Sequence, residues 1–484
     1  MYHEHPLRIL RYSMRSLWLL IFPLLRGVSI MHFDPAGIYS WIKGAWMDIA
    51  ILGIILLFGF IRWYFSLLSA TESTITHTQG CFIRVKTVIP LKNISSASSA
   101  QPFYLVPFNA VFFSCDTRAG IFRSTDLKIM VTKKVCAELM SHIPTVDPKR
   151  QIKDIPGPTA LSILLFSVFF SSGFSGAVYI AAFFFKGGDL AQDLLSVSIS
   201  RIAETTEMLT AKLIRGIPHA AIAFGSFFIA AWLLSFIMNL LRYSRFRLTA
   251  DSDHINIVCG ITNRRRYRIK NSHINYTDLR QNLFMKLLNA VTVSISCAGY
   301  GNDSSHLPVL LPIRRRKDLG GGLERLGVRS GGEMQFRPKW TGVFSYIGNP
   351  LLIMALIFVM SHYSDKLFPQ LSDISFFLTV MFSIPTIWLI IVKIVALSAS
   401  GITVEKNGVV LCTSEWTAFH TVTADKKNIV LIETYQTFLQ RIWKTKANLR
   451  IWFSGESASC YTIRALTLED CGKIAKILEY QVLY

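Results

Sequence analysis

Seven arginines between positions 242 and 268 form the densest group of chemically capable side chains in the sequence. Arg242, Arg245 and Arg247 directly follow a long apolar stretch, and Arg264, Arg265, Arg266 and Arg268 come after a turn. In an extended strand successive side chains alternate between faces, so Arg264, Arg266 and Arg268 share one. A basic side chain close to an anionic leaflet gains roughly 1 kcal/mol. All seven are therefore candidates for an anionic-lipid or membrane-surface site. From Arg242 to Lys339 there are eighteen basic and seven acidic residues, half of a total net charge of +21. Nucleic acid is not the expected partner, because neither an aromatic-basic signature nor a known reading element accompanies the charge.

Catalytic constellations are missing from the sequence. There is no His-Glu-x-x-His, no Gly-x-Ser-x-Gly and no Cys/His cluster with zinc spacing. Gly320-Gly321-Gly322 through Gly327 resembles a phosphate loop in glycine content, but Val328-Arg329 stands where Lys and then Ser or Thr are required. The eight cysteines lack a Cys-x-x-Cys pair and a regular framework, as free thiols of a reducing compartment do. The expectation is a protein that is not an enzyme, with no cofactor and no metal site.

The elements that carry the arginines are apolar stretches alternating with polar segments. Apolar residues make up 51% and charged residues 17%, which points to the membrane class. A span needs roughly 20 mainly apolar residues. Stretches at 44–61, 159–185, 217–241, 342–361 and 374–398 meet that length, and Ser16 to Phe33 is a weaker sixth, interrupted by Pro23 and Arg26. They group as three hairpins, each followed by a large polar segment. The short connectors sum to −1, so the opposite side carries +22. The positive-inside rule then places the N-terminus and large segments in the cytosol. The connector from Leu190 to Ile214 has helical periodicity.

Self-comparison reveals a repeat. Shifting by 180 residues aligns 62–101 with 242–281 at nine identities in forty positions, among them Gly80/Gly260, Ile94/Ile274 and Gln101/Gln281. A fainter third copy places Ile429 and Gln436 on Ile274 and Gln281. Within a unit, Leu248–Val258 and Tyr267–Ile274 read as strands separated by turns, and Val291–Ile295 and Val309–Ile313 continue the sheet. Each unit should close on a helix: Lys133–His142, Lys317–Leu326 and Leu466–Tyr480.

His5-Pro6-Leu7 before the first apolar stretch, and the second-repeat series Phe246-Arg247-Leu248-Thr249, Gly260, Arg264-Arg265-Arg266, Ile269, Ile274 and Leu279-Arg280-Gln281-Asn282, resemble the bacterial pleckstrin-homology-like family of the YdbS/YdbT type, in its three-domain YdbT form. The third repeat departs from it, with Glu415 at the turn glycine and Phe419 at the first arginine. With the repeat, the resemblance implies six transmembrane helices in three hairpins plus three cytosolic PH-like β-barrels, each closed by a C-terminal helix. The corresponding boundaries are 1–61 (N-terminal segment and hairpin 1), 62–156 (domain 1), 157–241 (hairpin 2), 242–337 (domain 2), 338–398 (hairpin 3) and 399–484 (domain 3). It also implies a non-enzymatic, multi-pass scaffold or regulator of the bacterial plasma (inner) membrane, in envelope maintenance or stress defence. Its partners would be anionic phospholipid and other proteins, including a smaller PH-like membrane protein of the same type. The rival reading is a transporter or lipid-handling protein with the domains as accessories.

Overall fold

The computed structural model describes residues 2–13, 46–81, 83–118, 125–143, 159–170, 219–250, 253–298, 309–316, 334–369, 372–443, 445–455 and 459–478. The first apolar stretch, most of 159–185, the connector from Leu190 to Ile214, the Gly320–Gly327 run and the helix expected over Lys317–Leu326 lie outside the described residues.

Three units follow one plan, with three strands in a first sheet, a short 3-10 turn and three strands in a second. After β1 (Tyr2–His3) and helix α1 (Trp46–Tyr64), unit 1 runs β2 (Leu67–Ala70), β3 (Thr74–Gln79), β4 (Val85–Pro90), β5 (Ile94–Pro102), β6 (Ala110–Thr117), β7 (Leu127–Thr132) and α2 (Lys133–His142). Helices α3 (Ala160–Phe170) and α4 (His219–Tyr243) precede unit 2, which has β8 (Arg247–Ala250), β9 (His254–Cys259), β10 (Asn263–Lys270), β11 (Tyr276–Asn282), α5 (Leu283–Leu287), β12 (Ala290–Ser296) and β13 (Val309–Arg315). The hairpin of α6 (Val343–Leu367) and α7 (Ser372–Ala399) leads into unit 3: β14 (Gly401–Val404), β15 (Gly408–Glu415), β16 (Ala418–Asp425), β17 (Ile429–Tyr435), α8 (Phe438–Trp443), β18 (Lys446–Phe453), β19 (Ser459–Thr467) and α9 (Leu468–Ile477).

The repeat has a structural cause at its signature positions. Gly80 and Gly260 end β3 and β9 with φ of +103° and +92°, a left-handed conformation in which a side chain is strained. Ile94 and Ile274 each follow the 3-10 turn, at Leu91–Asn93 and Asn271–His273; the third unit repeats that turn at Lys426–Asn428. Gln101, Gln281 and Gln436 each donate from Nε2 to a backbone carbonyl near the start of the next strand, those of Ala110, Ala290 and Lys446, at 3.4, 2.7 and 2.7 Å. The amide thus clamps the same connection in all three units, including the one whose sequence has diverged most. Thr132 and Thr467 cap α2 and α9 by accepting from Val135 N and Asp470 N.

Two features of the expected architecture are overturned. Among the described residues only two helices, Trp340–Leu367 and Leu378–Ala399, are long and apolar enough to cross a membrane, while the apolar runs Ala50–Tyr64 and Ile229–Tyr243 are shorter. Six spanning helices are therefore not found among the described residues. Nor are the β units closed barrels. Strand order is β1-β2-β3-β4, then β7-β6-β5-β10-β9-β8, then β13-β12-β11-β16-β15-β14, then β17-β18-β19. In units 1 and 2 the first strand of the second sheet, β5 or β11, bonds to the next unit instead of closing on its own. The order of strands and closing helix, and the family resemblance built on it, do not say where an edge strand finds its partner.

Replacing Gly80 or Gly260 by Ala should cost about 1–3 kcal/mol, because a Cβ in that backbone conformation meets the Ile83 or Asn263 carbonyl. Gly348→Ala, where nothing lies within 4 Å, should leave thermal unfolding in detergent unchanged.

Candidate functional site

The junction of units 1 and 2 is a continuous antiparallel sheet in which β5 pairs β10 from Asn263 opposite Pro102 to Ile269 opposite Ser96. Its alternation divides the arginines. Arg264, Arg266 and Arg268 do share a face, opposite Gln101, Ser99 and Ala97. That face belongs to the unit 1 core. Arg268 donates from Nη1 to the carbonyls of Met140 and Ile143 (2.8 Å to the latter), and from Nε to Asn256 Oδ1 at 3.1 Å. It caps the C-terminus of α2, the favoured place for a cation, and burial lowers its pKa. Arg264 and Arg266 are exposed. Arg242 is half-buried in the last turn of α4, whereas Arg245 and Arg247 are exposed beside the buried Phe246.

Arg265 projects to the opposite face, into a cavity of about 630 Å³. Its apolar lining includes Leu7, Leu10, Leu105, Phe112 and Met130, its cations are Arg11, Lys128 and Arg265, and Tyr104 and Phe108 stand exposed around it. Arg265 Nη1 lies 3.3 Å from the Tyr267 hydroxyl, and the Arg11 guanidinium sits 5.0 Å above the Phe112 ring. The N-terminal segment provides one side. His5 N donates to Met130 O at 2.7 Å, and β1 covers the edge of β2. Glu4, almost wholly buried, accepts from the Tyr12 hydroxyl at 3.1 Å and lies 3.3 Å from both Arg8 Nε and His77 Nε2. The short His5-Pro6-Leu7 motif is thus a hinge between an anchored strand and helical residues 8–13, which carry Leu10 and Arg11 over the cavity.

Sequence reasoning reached Arg265 by proximity but missed Arg11, Lys128 and the apolar wall, which come together only through strand pairing. One signal was available. The connection after each repeat glutamine is apolar and exposed: Phe103, Tyr104 and Phe108 in unit 1, Phe284, Leu287 and Leu288 in unit 2, Phe438 and Ile442 in unit 3. In unit 2 it touches the hairpin directly, since Phe284 stacks on Trp388 of α7 at 5.0 Å.

A second, polar cavity of about 240 Å³ lies between units 2 and 3, where Lys286, Arg316 and Arg337 meet Ser398 and Ala399 at the end of α7. Lys286 lies 4.5 Å over the Phe419 ring, and burial pulls its pKa down. Across this junction His420 Nδ1 is 2.7 Å from Asp278 Oδ2, both side chains buried. Among the described residues no group of three or more His, Cys, Asp or Glu could hold a metal.

Residues 22–143 and 207–321 match the family model of the bacterial PH domain. These stretches are bacterial PH-like. The matched stretches take in units 1 and 2 and suggest a protein- or lipid-binding role, and β14–β19 of unit 3 lie outside both. No curated protein and no solved structure matches the chain.

All eight cysteines are free, and burial pushes the Cys136 and Cys259 thiols up to about 11 despite nearby arginines. A raised thiol pKa contributes stability that is present below the unfolded value and lost as pH climbs to the folded one. Stability should therefore fall between about pH 9 and 11, and at pH 8 iodoacetamide should modify exposed Cys81 well before these two, read by peptide mass mapping. Arg268→Ala should destabilise the folded chain by about 1.5–3 kcal/mol through the lost α2 cap, measured by thermal unfolding.

Proposed function

We propose that this chain is a non-enzymatic bacterial membrane scaffold, anchored through the α6–α7 hairpin, whose PH-like units bind an anionic lipid in the cavity between units 1 and 2. The observation that carries this reading is the cavity's composition, an apolar wall with Arg11, Lys128 and Arg265 on it and exposed aromatics beside it. Pockets of roughly 300–1,000 Å³ with mainly apolar lining and a few placed polar groups are the usual form of a small-molecule site. Three cations in such a wall suit a molecule with an anionic head and an apolar body.

The hairpin supports the membrane part. Only 11% and 24% of its two spanning windows are buried against protein, so these helices are not core helices and would leave a large apolar surface in water. The exposed apolar connections, one of them stacked on α7, would face the same bilayer. The three-unit plan favours the YdbT type within the bacterial PH group. A cytosolic position for the units and a role in envelope maintenance or stress defence follow from that assignment.

The test uses the full chain in detergent with dihexanoyl phosphatidylglycerol and dihexanoyl phosphatidylcholine as probes. The anionic lipid should raise the unfolding temperature more, and the preference should shrink as salt rises. Replacing Arg11, Lys128 and Arg265 together by Gln should weaken phosphatidylglycerol binding by about 3 kcal/mol, on the order of 100-fold. Arg264→Gln with Arg266→Gln, on the other face, should have little effect. Equal responses of the wild type to both lipids would overturn the reading.

A further inference from the structure

The two junctions inside this chain are the same junction made twice. At the first, β5 pairs β10 with Gln101 opposite Arg264; at the second, β11 pairs β16 with Gln281 opposite Phe419. Gln101 and Gln281 are repeat-equivalent, and so are Arg264 and Phe419. The faces are related in the same way too. Ala97 and Leu279, in the cores of units 1 and 2, stand opposite Arg268 and Thr421, which lie outside the cores of units 2 and 3.

An array of three units makes two such junctions and leaves one half-junction at each end. At the head it is β4, the counterpart of β10 and β16; at the tail it is β17, the counterpart of β5 and β11. Each is the terminal strand of its sheet, and among the described residues no strand is bonded to its outer side. Both expose apolar residues, Val85 and Val88 on β4, Val430 and Leu431 on β17. Long exposed edges with apolar side chains are normally blocked by charge, proline or cover.

We infer that β17 of one molecule pairs antiparallel with β4 of a second copy of this chain, continuing the array from unit 3 into the next unit 1. The repeat sets the register. Gln436 falls opposite Arg84, Thr434 opposite Lys86 and Ile432 opposite Val88. Ile432, packed against the unit 3 core, then meets Val88, exposed on unit 1, which reproduces the change of face seen at both internal junctions. The contact joins two different surfaces, so it propagates head to tail and closes into a ring or runs on as a filament.

The full chain in detergent should show, by light scattering corrected for bound detergent, a protein mass that is a multiple of one chain. Val88→Lys with Leu431→Lys, both at exposed positions, should reduce it to one chain while the unfolding temperature stays within a few degrees. Under mild oxidation, Lys86→Cys with Thr434→Cys should form an intermolecular disulfide. Lys86→Cys with Val430→Cys, four residues out of register and roughly 13 Å away, should not. A monomeric wild type, or an oligomer that survives both lysines and gives no Lys86–Thr434 link, would overturn the inference.

Discussion

An unpaired sheet edge carries a row of N–H and C=O groups that must be satisfied, and here the neighbouring unit satisfies them. β5 bonds to β10 and β11 to β16, so neither unit at a junction has a complete sheet alone. Side chains follow the backbone across the seam. Tyr276 of unit 2 is buried in the core of unit 3 and bonds Ser459 at 2.6 Å, Asp278 meets His420, and Asn428 donates to the Asn275 carbonyl at 2.6 Å. A carboxyl group buried as that of Asp278 is would be costly without its hydrogen-bonding histidine, so this pair ties the position of unit 3 to that of unit 2.

The geometry of the seam also generates the cavities. Because the core of one unit and the core of the next lie on opposite faces of the shared sheet, each junction leaves a strip of sheet facing neither core on a given side. At the first junction the N-terminal segment and the connection after β5 roof that strip, and the roof is apolar. At the second, the end of α7 lies against it, and the lining is polar and basic. The two sites differ in chemistry because different elements cover them.

In unit 2 the connection that follows the repeat glutamine couples the array to the helices. It is the short α5, with Met285 buried against Phe166 of α3 and the exposed Phe284 stacked on Trp388 of α7. A clamp by Gln281 on the Ala290 carbonyl holds that connection shut at 2.7 Å. Motion of the hairpin would therefore be felt at the sheet junction through one fixed turn.

The sequence by itself determined what depends on local chemistry. The strands of unit 2 other than β11, the helix at Lys133–His142, the turn at Gly260 and the repeat marked by Gln101, Gln281 and Gln436 were legible, because alternation, β-branching and turn-residue preference act over a few residues. Local hydropathy also located apolar helices, but it could not count spans, since that depends on length and on what covers each helix. The tertiary structure alone decided which edges pair, and with that the function of individual side chains. Arg268 became a helix cap and Arg265 a cavity cation although they stand three residues apart, because alternation sent them to opposite faces of a sheet whose two sides serve different units. Arg11 and Lys128, more than a hundred residues from each other, carry no local sign that they belong together. Only the pairing of β5 with β10, under the strand that Glu4 anchors, brings them to Arg265.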